Sequence, residues 1–357
     1  MDIEQKDIAF GPEYGELLRG GLREVLEAPA GEGRVFAPVK RLEEYINDYE
    51  LHNPEEQELA EQAGEITINE TRIPTDPLEP VECEVPIAAV DASVAVLGET
   101  DVGVIAAFKC AVVYLGVNKQ PEVYRYIAHF TESNRDVYVK LRRLLSTSAL
   151  ASPVKPPTCS LDRMPYRIMN LIERIAQRHA STQIRGGIVL WDGSMTRTKE
   201  TGIDVYKGSI NLAARHGNYI VAISKRTRLR LATGEKITTL LDAERRACVA
   251  EVHDYMPDSI KRDLMGRVYA VKFAADGFTF RVDVAPATKG KCKEVLKRLA
   301  GATSFVHGYP DPLARAHIYS YFTRTEITAL QAYALERYSL RPVDAFDIRV
   351  HILGPFG

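Results

Sequence analysis

Apolar residues change their spacing along this chain, and the change falls near residue 86. Upstream, Leu17, Leu18, Leu22, Val25 and Leu26 recur at the spacing of one helix face, predicting a helix over residues 12–28. Leu42, Tyr45 and Ile46 continue that period over 39–63, which ends in the acidic run NPEEQELAEQAGE, suited to a solvated face. Residues 71–86 (TRIPTDPLEPVECEVP) hold four prolines and little periodicity, so they predict an extended connector. From Ile87 the apolar runs become continuous. A run ending at Asp91, then Val102–Val117 and Glu122–Phe130, follow one another so closely that they must pair antiparallel, as a meander. Helical spacing returns over 132–150 and 165–180, around the loop SPVKPPTC. A short apolar run then reaches Asp192, followed by a helix near 206–217 and an apolar strand, Tyr219–Ser224. Beyond it the pattern predicts a helix near 240–252, a strand pair near 266–285, helices near 288–300 and 312–338, and a tail ending ILGPFG. A meander followed by alternating helix and strand specifies a mixed α/β sheet with helices on its faces.

Composition narrows the class only modestly. The 357 residues are 45% hydrophobic and 26% charged with a net charge of -2, ordinary for a globular chain of one or two domains. No apolar run approaches the roughly 20 residues that span a bilayer, and the acidic start MDIEQKD is unlike a signal peptide. Five scattered cysteines, odd in number and without a CxxC pair, argue against a zinc site or a disulfide framework. The expectation is a cytoplasmic protein in a reducing compartment. The near-neutral charge neither requires nor forbids nucleic acid, so local basic clusters decide that question.

The informative feature is how two apolar runs end. Ile87-Ala-Ala-Val-Asp91-Ala-Ser93 and Gly187-Ile-Val-Leu-Trp-Asp192-Gly-Ser194 both close on an aspartate, a small residue and a serine. Each aspartate can open a turn through its own side chain. Two of them on neighbouring strands would instead face each other across a gap suited to divalent metal ions. Trp191, one residue before Asp192, points to the opposite side of the sheet, where it fits the core.

Four segments in order, AVDAS at 89–93, LWDGS at 190–194, ISKRT at 223–227 and GYPDPLARAH at 308–317, resemble the NurA family of archaeal and bacterial DNA-end-processing nucleases. The resemblance covers about residues 86–338. It departs from the family at Ala92, where glycine is more usual. It implies a ribonuclease-H-like mixed sheet flanked by helices, with insertions. Three segments are expected: a helical extension and linker at 1–85, a nuclease domain at 86–340 and a tail at 341–357.

Carried over residue by residue, the resemblance makes Asp91 and Asp192 metal ligands and matches Tyr309 and His317 to the C-terminal motif, with His317 a further metal ligand or an outer-shell group and Tyr309 beside it. A family glutamate on the helix before the Asp192 strand falls on Glu173, the one acidic residue of NLIERIAQRH; a partly exposed helix glutamate is the plain alternative. Lys225, directly after an apolar strand, either holds a scissile phosphate or pairs with a carboxylate. Lys225, Arg226 and Arg228 form a basic segment suited to a DNA backbone, or to a solvated loop, with Arg142 and Arg143 weaker cases of the same kind. His317 lies on a helix that Asp311 and Pro312 begin well. A histidine among carboxylates shifts preference from magnesium towards manganese, and two ions per site are expected.

The resemblance further implies 5′-to-3′ degradation of DNA ends, single-strand endonuclease action, a role in double-strand-break repair, a homodimer, and action with a hexameric HerA-type translocase. Leu313, Ile318 and the apolar tail Val350–Phe356 are expected to be buried internally or against a partner. The rival reading is a noncatalytic DNA-end clamp on the same fold. Another ribonuclease-H-like enzyme, cleaving RNA or transferring strands, is the third.

Overall fold

One strand, Ile87–Thr100, organises its neighbours because its two edges are used differently. A computed structural model of the chain describes residues 12–27, 33–38, 66–146, 158–197, 201–285 and 289–344. One edge of Ile87–Thr100 pairs along its length with Gly103–Leu115, which pairs in turn with Glu122–Thr131, so the predicted meander forms. The other edge is divided. Ile87–Val90 pair in parallel with Ile188–Trp191, and Gly98–Thr100 pair antiparallel with Phe36–Pro38. Between these two partners, Asp91–Leu97 have no strand beside them on that edge among the described residues.

The sheet continues from Ile188–Asp192 to Tyr219–Ser224, again in parallel. Thr279–Ala285, Arg267–Lys272, Cys248–Glu251 and Thr75–Pro77 then extend it by antiparallel pairing. Counted in chain order from Ile87, the first five strands lie in the spatial order third, second, first, fourth, fifth. This is the expected ribonuclease-H-like mixed sheet. Its two parallel steps need long crossovers, which the helices Met164–Gln183 and Ile203–Arg215 supply.

Alternation along the strands assigns every residue to a face. Ala88, Val90, Val189 and Trp191 turn to the face covered by Met164–Gln183, Ile203–Arg215 and the N-terminal residues Tyr14, Leu18, Leu22 and Leu26. Ile87, Ala89, Ile188 and Leu190 turn to the other, covered by Lys289–Ala302 and by Asp311–Ser320 through Leu313 and Ala316. Burial on both faces explains why these strands read as unbroken apolar runs. Gly187 opens the Asp192 strand because a Cβ there would sit 2.3 Å from the carbonyl oxygen of Pro86.

Several elements differ from expectation. The helix expected near 240–252 is a series of turns followed by the strand Cys248–Glu251, because pairing on both of its edges outweighs the helix propensity of Ala, Glu and Arg. The helix expected over 312–338 is two helices, Asp311–Ser320 and Arg324–Arg337. Tyr321 turns extended and gives its carbonyl to Lys109 Nζ (2.8 Å), and Thr323 with Glu326 forms a capping box for the second helix. The helix over 132–150 is shorter, spanning Asp136–Leu144, and the N-terminal helix contains a π-turn at Leu17–Gly21. The connector is extended as expected, and its Thr75–Pro77 forms an edge strand, where proline is tolerated. The helix expected over 39–63 and the tail Val350–Phe356 lie outside the described residues. No helix among the described residues is long and apolar enough to cross a membrane.

The meander is tied to the crossover helix through Glu122. Its Oε2 lies 2.7 Å from His179 Nε2 and accepts from Tyr124 (2.8 Å) and Tyr114 (3.2 Å). Burial pushes this carboxyl up, but the hydrogen bonds outweigh it and hold the pKa at about 2. A lowered carboxyl pKa stabilises the fold above the ordinary value of 4.5, and that contribution fades as pH falls towards 2. Glu122→Gln is therefore expected to be less stable than wild type at pH 7, with the gap closing on acidification below pH 4.5. Denaturant unfolding at stepped pH measures it, and a constant gap would contradict the assignment.

Candidate active site

The last residue pair in register between the two parallel strands is Val90 with Trp191. One step further, Asp91 and Asp192 stand side by side, roughly 4.8 Å apart at the backbone as neighbouring strands are. Both turn to the face that carries the helix Asp311–Ser320. Asp91 is buried, and its Oδ2 accepts from Ser320 Oγ (2.6 Å) and lies 3.1 Å from His317 Nδ1. His317 and Ser320 are three residues apart, hence on one side of the helix. The hydrogen bond to Asp91 raises the pKa of His317 against the opposing effect of burial.

Asp192 is held from the next strand. Lys225 directly follows Tyr219–Ser224, and its Nζ donates to Asp192 Oδ2 at 2.9 Å. Burial pushes the Asp192 pKa up and the charge of Asp91 adds to it, while Lys225 and His317 oppose. Gly193 then ends the strand in the left-handed region (φ +95°) and gives its N–H to Ile223 (2.9 Å). The loop that follows is pinned by a buried ion pair between Arg281 and Asp283 (2.8 Å). Asp283 accepts from the Met195 N–H (2.9 Å) and Arg281 donates to Thr196 Oγ1 (2.8 Å).

Tyr309 lies on the Asp192 side. A short hairpin with Gly308 in the left-handed region (φ +85°) sets its ring 4.8 Å from Lys225 Nζ and 5.6 Å from the Phe280 ring. Its hydroxyl is buried without a well-formed hydrogen bond among the described residues. Burial pushes its pKa up, and the nearby charges of Asp192 and Asp91 add to that. Glu173 occupies the other face, on the crossover helix, where it is buried and accepts from Gln177 Nε2 at 2.7 Å. Its charge raises the pKa of the Cys110 thiol, second to burial, and Cys110 pairs with Ala92 beside Asp91. Glu173 thus sits behind the sheet near the level of Asp91. Trp191 is buried on the same side as Glu173, with the Arg174 guanidinium 5.3 Å from its ring.

The structure therefore brings Asp91, Asp192, Lys225, Tyr309 and His317 together and sets Glu173 across the sheet from them. Arg226 is exposed beside Lys225, and Arg228 starts the chain towards Leu229–Leu231, its carbonyl bound by the Ile66 N–H (3.0 Å). Arg142 is engaged by Asp204 at 2.9 Å. The sequence marks Ser93 only as part of the Asp-Ala-Ser ending and gives Ser320 no role. Their signal is spacing: three residues after His317 on a helix, and two after Asp91 on a strand. Among the described residues no three His, Cys, Asp or Glu side chains are arranged to hold a metal ion. Asp91 and Asp192 nonetheless fit one as a pair. They are hard oxygen donors, adjacent and same-facing, and each now has a cationic or hydrogen-bonding side chain on Oδ2.

No protein-family profile and no curated protein matches the sequence. Among solved structures the chain is similar to the NurA nuclease from Sulfolobus solfataricus, with 15% identity and a TM-score of 0.48 over 74% of this chain and 88% of that one. A structure of NurA bound to dAMP and manganese aligns at 11% identity and a TM-score of 0.38, covering 77% of this chain and 92% of that one. Human Endonuclease V aligns at 13% identity and 0.33, covering 71% and 92% respectively.

Lys225 makes a separable prediction. Without it, Asp192 keeps the two influences that raise its pKa and loses one that lowers it. A carboxyl whose folded pKa is raised loses stability as pH rises from the ordinary value of 3.8 through the folded value. In chelator-treated protein, Lys225→Met should be destabilised at pH 7 by roughly 0.2–1 kcal/mol, the scale of a partly exposed pair. The deficit should vanish in acid, and thermal melts at stepped pH would show the opposite trend if Lys225 does not hold the Asp192 charge.

Proposed function

We propose that this chain is a metal-dependent deoxyribonuclease that hydrolyses phosphodiester bonds at the Asp91–Asp192 centre. The observation that carries this reading is the juxtaposition of those two carboxylates with His317 and Lys225 on one face of a rigid sheet. The ordered motifs around the same residues support it. Asp91 and Asp192 would hold manganese or magnesium, and Glu173, from behind the sheet, would complete a site for two ions. A divalent cation supplies an activated water, neutralises phosphate charge and stabilises the leaving oxygen.

The side chains supply the rest. Lys225, positioned over Tyr309, moves from Asp192 to a non-bridging phosphate oxygen when a cation and substrate are present. His317 holds Asp91 in place through its Nδ1, 3.1 Å from Asp91 Oδ2. Tyr309 orients Lys225 and excludes water from the Asp192 side. Arg226 and Arg228, continuing from Lys225, offer sequence-independent contacts to the DNA backbone. The family resemblance extends the proposal to 5′-to-3′ action on DNA ends, single-strand endonuclease activity, a homodimer and a hexameric HerA-type translocase as partner in break repair.

The rival reading is a DNA-end clamp without catalysis, favoured by the lack of a ready three-ligand group among the described residues. End-labelled single- and double-stranded DNA and RNA, with manganese or with EDTA, separate the two. The nuclease reading expects manganese-dependent loss of DNA that EDTA stops, whereas a clamp retards DNA without cutting it. Asp91→Asn and Asp192→Asn should each lower cleavage by on the order of 10²-fold or more, the scale of removing a transition-state charge stabiliser, with DNA binding kept. Substantial cleavage by either variant at the same metal concentration would remove this site.

Assembly is tested independently. Light scattering at micromolar concentration is expected to give the mass of a dimer, with an interface above roughly 1,000 Å². A monomer would defeat the dimer. An unchanged rate on duplex DNA after adding the translocase and ATP would defeat that partnership.

A further inference from the structure

We infer that Ser320 is a positioning residue. It fixes the rotation of the Asp91 carboxylate so that Oδ2 faces the protein and Oδ1 faces the bound cation, an inference that rests on the metal-site reading above. Ser320 is fully buried, and its hydroxyl lies 2.6 Å from Asp91 Oδ2 but 3.1 Å from the His317 carbonyl. A hydroxyl has one proton to give, and the shorter contact to the charged acceptor takes it. Ser93 Oγ, 3.4 Å away, can donate to Ser320 in turn, so a hydroxyl relay runs Ser93 to Ser320 to Asp91. Ser93 can do this because it lies two residues after Asp91, on the same face of the strand.

The need for such a clamp follows from the side chain. The terminal torsion of aspartate is soft, so an unheld carboxylate presents either oxygen. Here both Ser320 and His317 converge on Oδ2, and among the described residues Oδ1 accepts no hydrogen bond. Ser320 itself is fixed from beyond the helix end. The Tyr321 N–H bonds the His317 carbonyl (2.9 Å), and the Tyr321 carbonyl accepts from Lys109 Nζ, a buried lysine that also pairs with Glu326 at 2.6 Å. A serine serving only as a helix-end residue would give its proton to the preceding turn. The carboxylate contact is the shorter one, and Ser320 has no exposure through which to meet a ligand directly. It acts through Asp91.

The test is manganese titration of the full-length protein by calorimetry, with melting temperature measured alongside. Ser320→Ala is expected to weaken manganese binding on the order of tenfold, the usual effect of removing an outer hydrogen-bond partner, in protein that still melts cooperatively. Ser93→Ala should give a smaller loss of the same kind. Because Ser320 and His317 share one oxygen, Ser320→Ala combined with His317→Gln should lose less than the two single changes summed. Should Ser320→Ala melt early, Ser320→Cys keeps the volume with a weak donor and must show the same loss of affinity. Equal manganese affinity in wild type and in a well-folded Ser320 variant overturns the inference alone. Wild-type protein that takes up no manganese overturns the metal-site reading and this inference with it.

Discussion

The structure turns on placing two negative charges next to each other. In-register parallel pairing of Ile87–Val90 with Ile188–Trp191 leaves no freedom: whatever follows each run emerges beside its counterpart. Two carboxylates so placed repel, and burial makes their charge more costly still. The surrounding elements read as answers to that problem. The helix Asp311–Ser320 crosses one face to bring His317 and Ser320 to Asp91, and the next parallel strand ends in time for Lys225 to reach Asp192. The Arg281–Asp283 pair holds the loop beyond Asp192, and Gly193 turns the chain away before a further side chain could crowd the centre.

The division of the long strand's second edge matters as much as the pairing. Had the Asp192 strand continued alongside Ile87–Thr100, the two carboxylates would lie inside a closed sheet. It stops, and the next partner on that edge begins only at Gly98. The sheet is therefore interrupted where the carboxylates stand, and Glu173 lies behind that interruption.

Most of this was legible in the chain, and the illegible parts share a cause. The meander and the two Asp strands could be read because burial on both faces writes itself as unbroken apolar runs. Trp191 could be assigned to the far face because strand alternation is strict. By contrast, Cys248–Glu251 reads as helix from its own residues and becomes a strand only through neighbours distant in sequence. The break at Tyr321 depends on Lys109, more than two hundred residues earlier, and the local pattern across it is helical on both sides. Ser320 was within reach, three residues from His317, yet serine is too common near helix ends for spacing alone to single it out. Glu173 could be named but not placed, since which face a crossover helix covers is a property of the assembled sheet.

For the metal site proposed above, the pairing of Asp192 with Lys225 has a consequence for the state without an ion. Many metal centres gather anionic donors with nothing to balance them, so the apo form is strained or unfolded and the ion acts as part of the fold. Here each acid already has a nitrogen-bearing neighbour of its own, Lys225 for Asp192 and His317 for Asp91. Folding and loading are thereby separated. On the proposed reading the chain would fold before it meets an ion, and a chelator would silence it without denaturing it. The same arrangement makes an arriving ion compete with a tethered amine, so occupancy would follow the free-ion concentration around the protein rather than being fixed once at assembly.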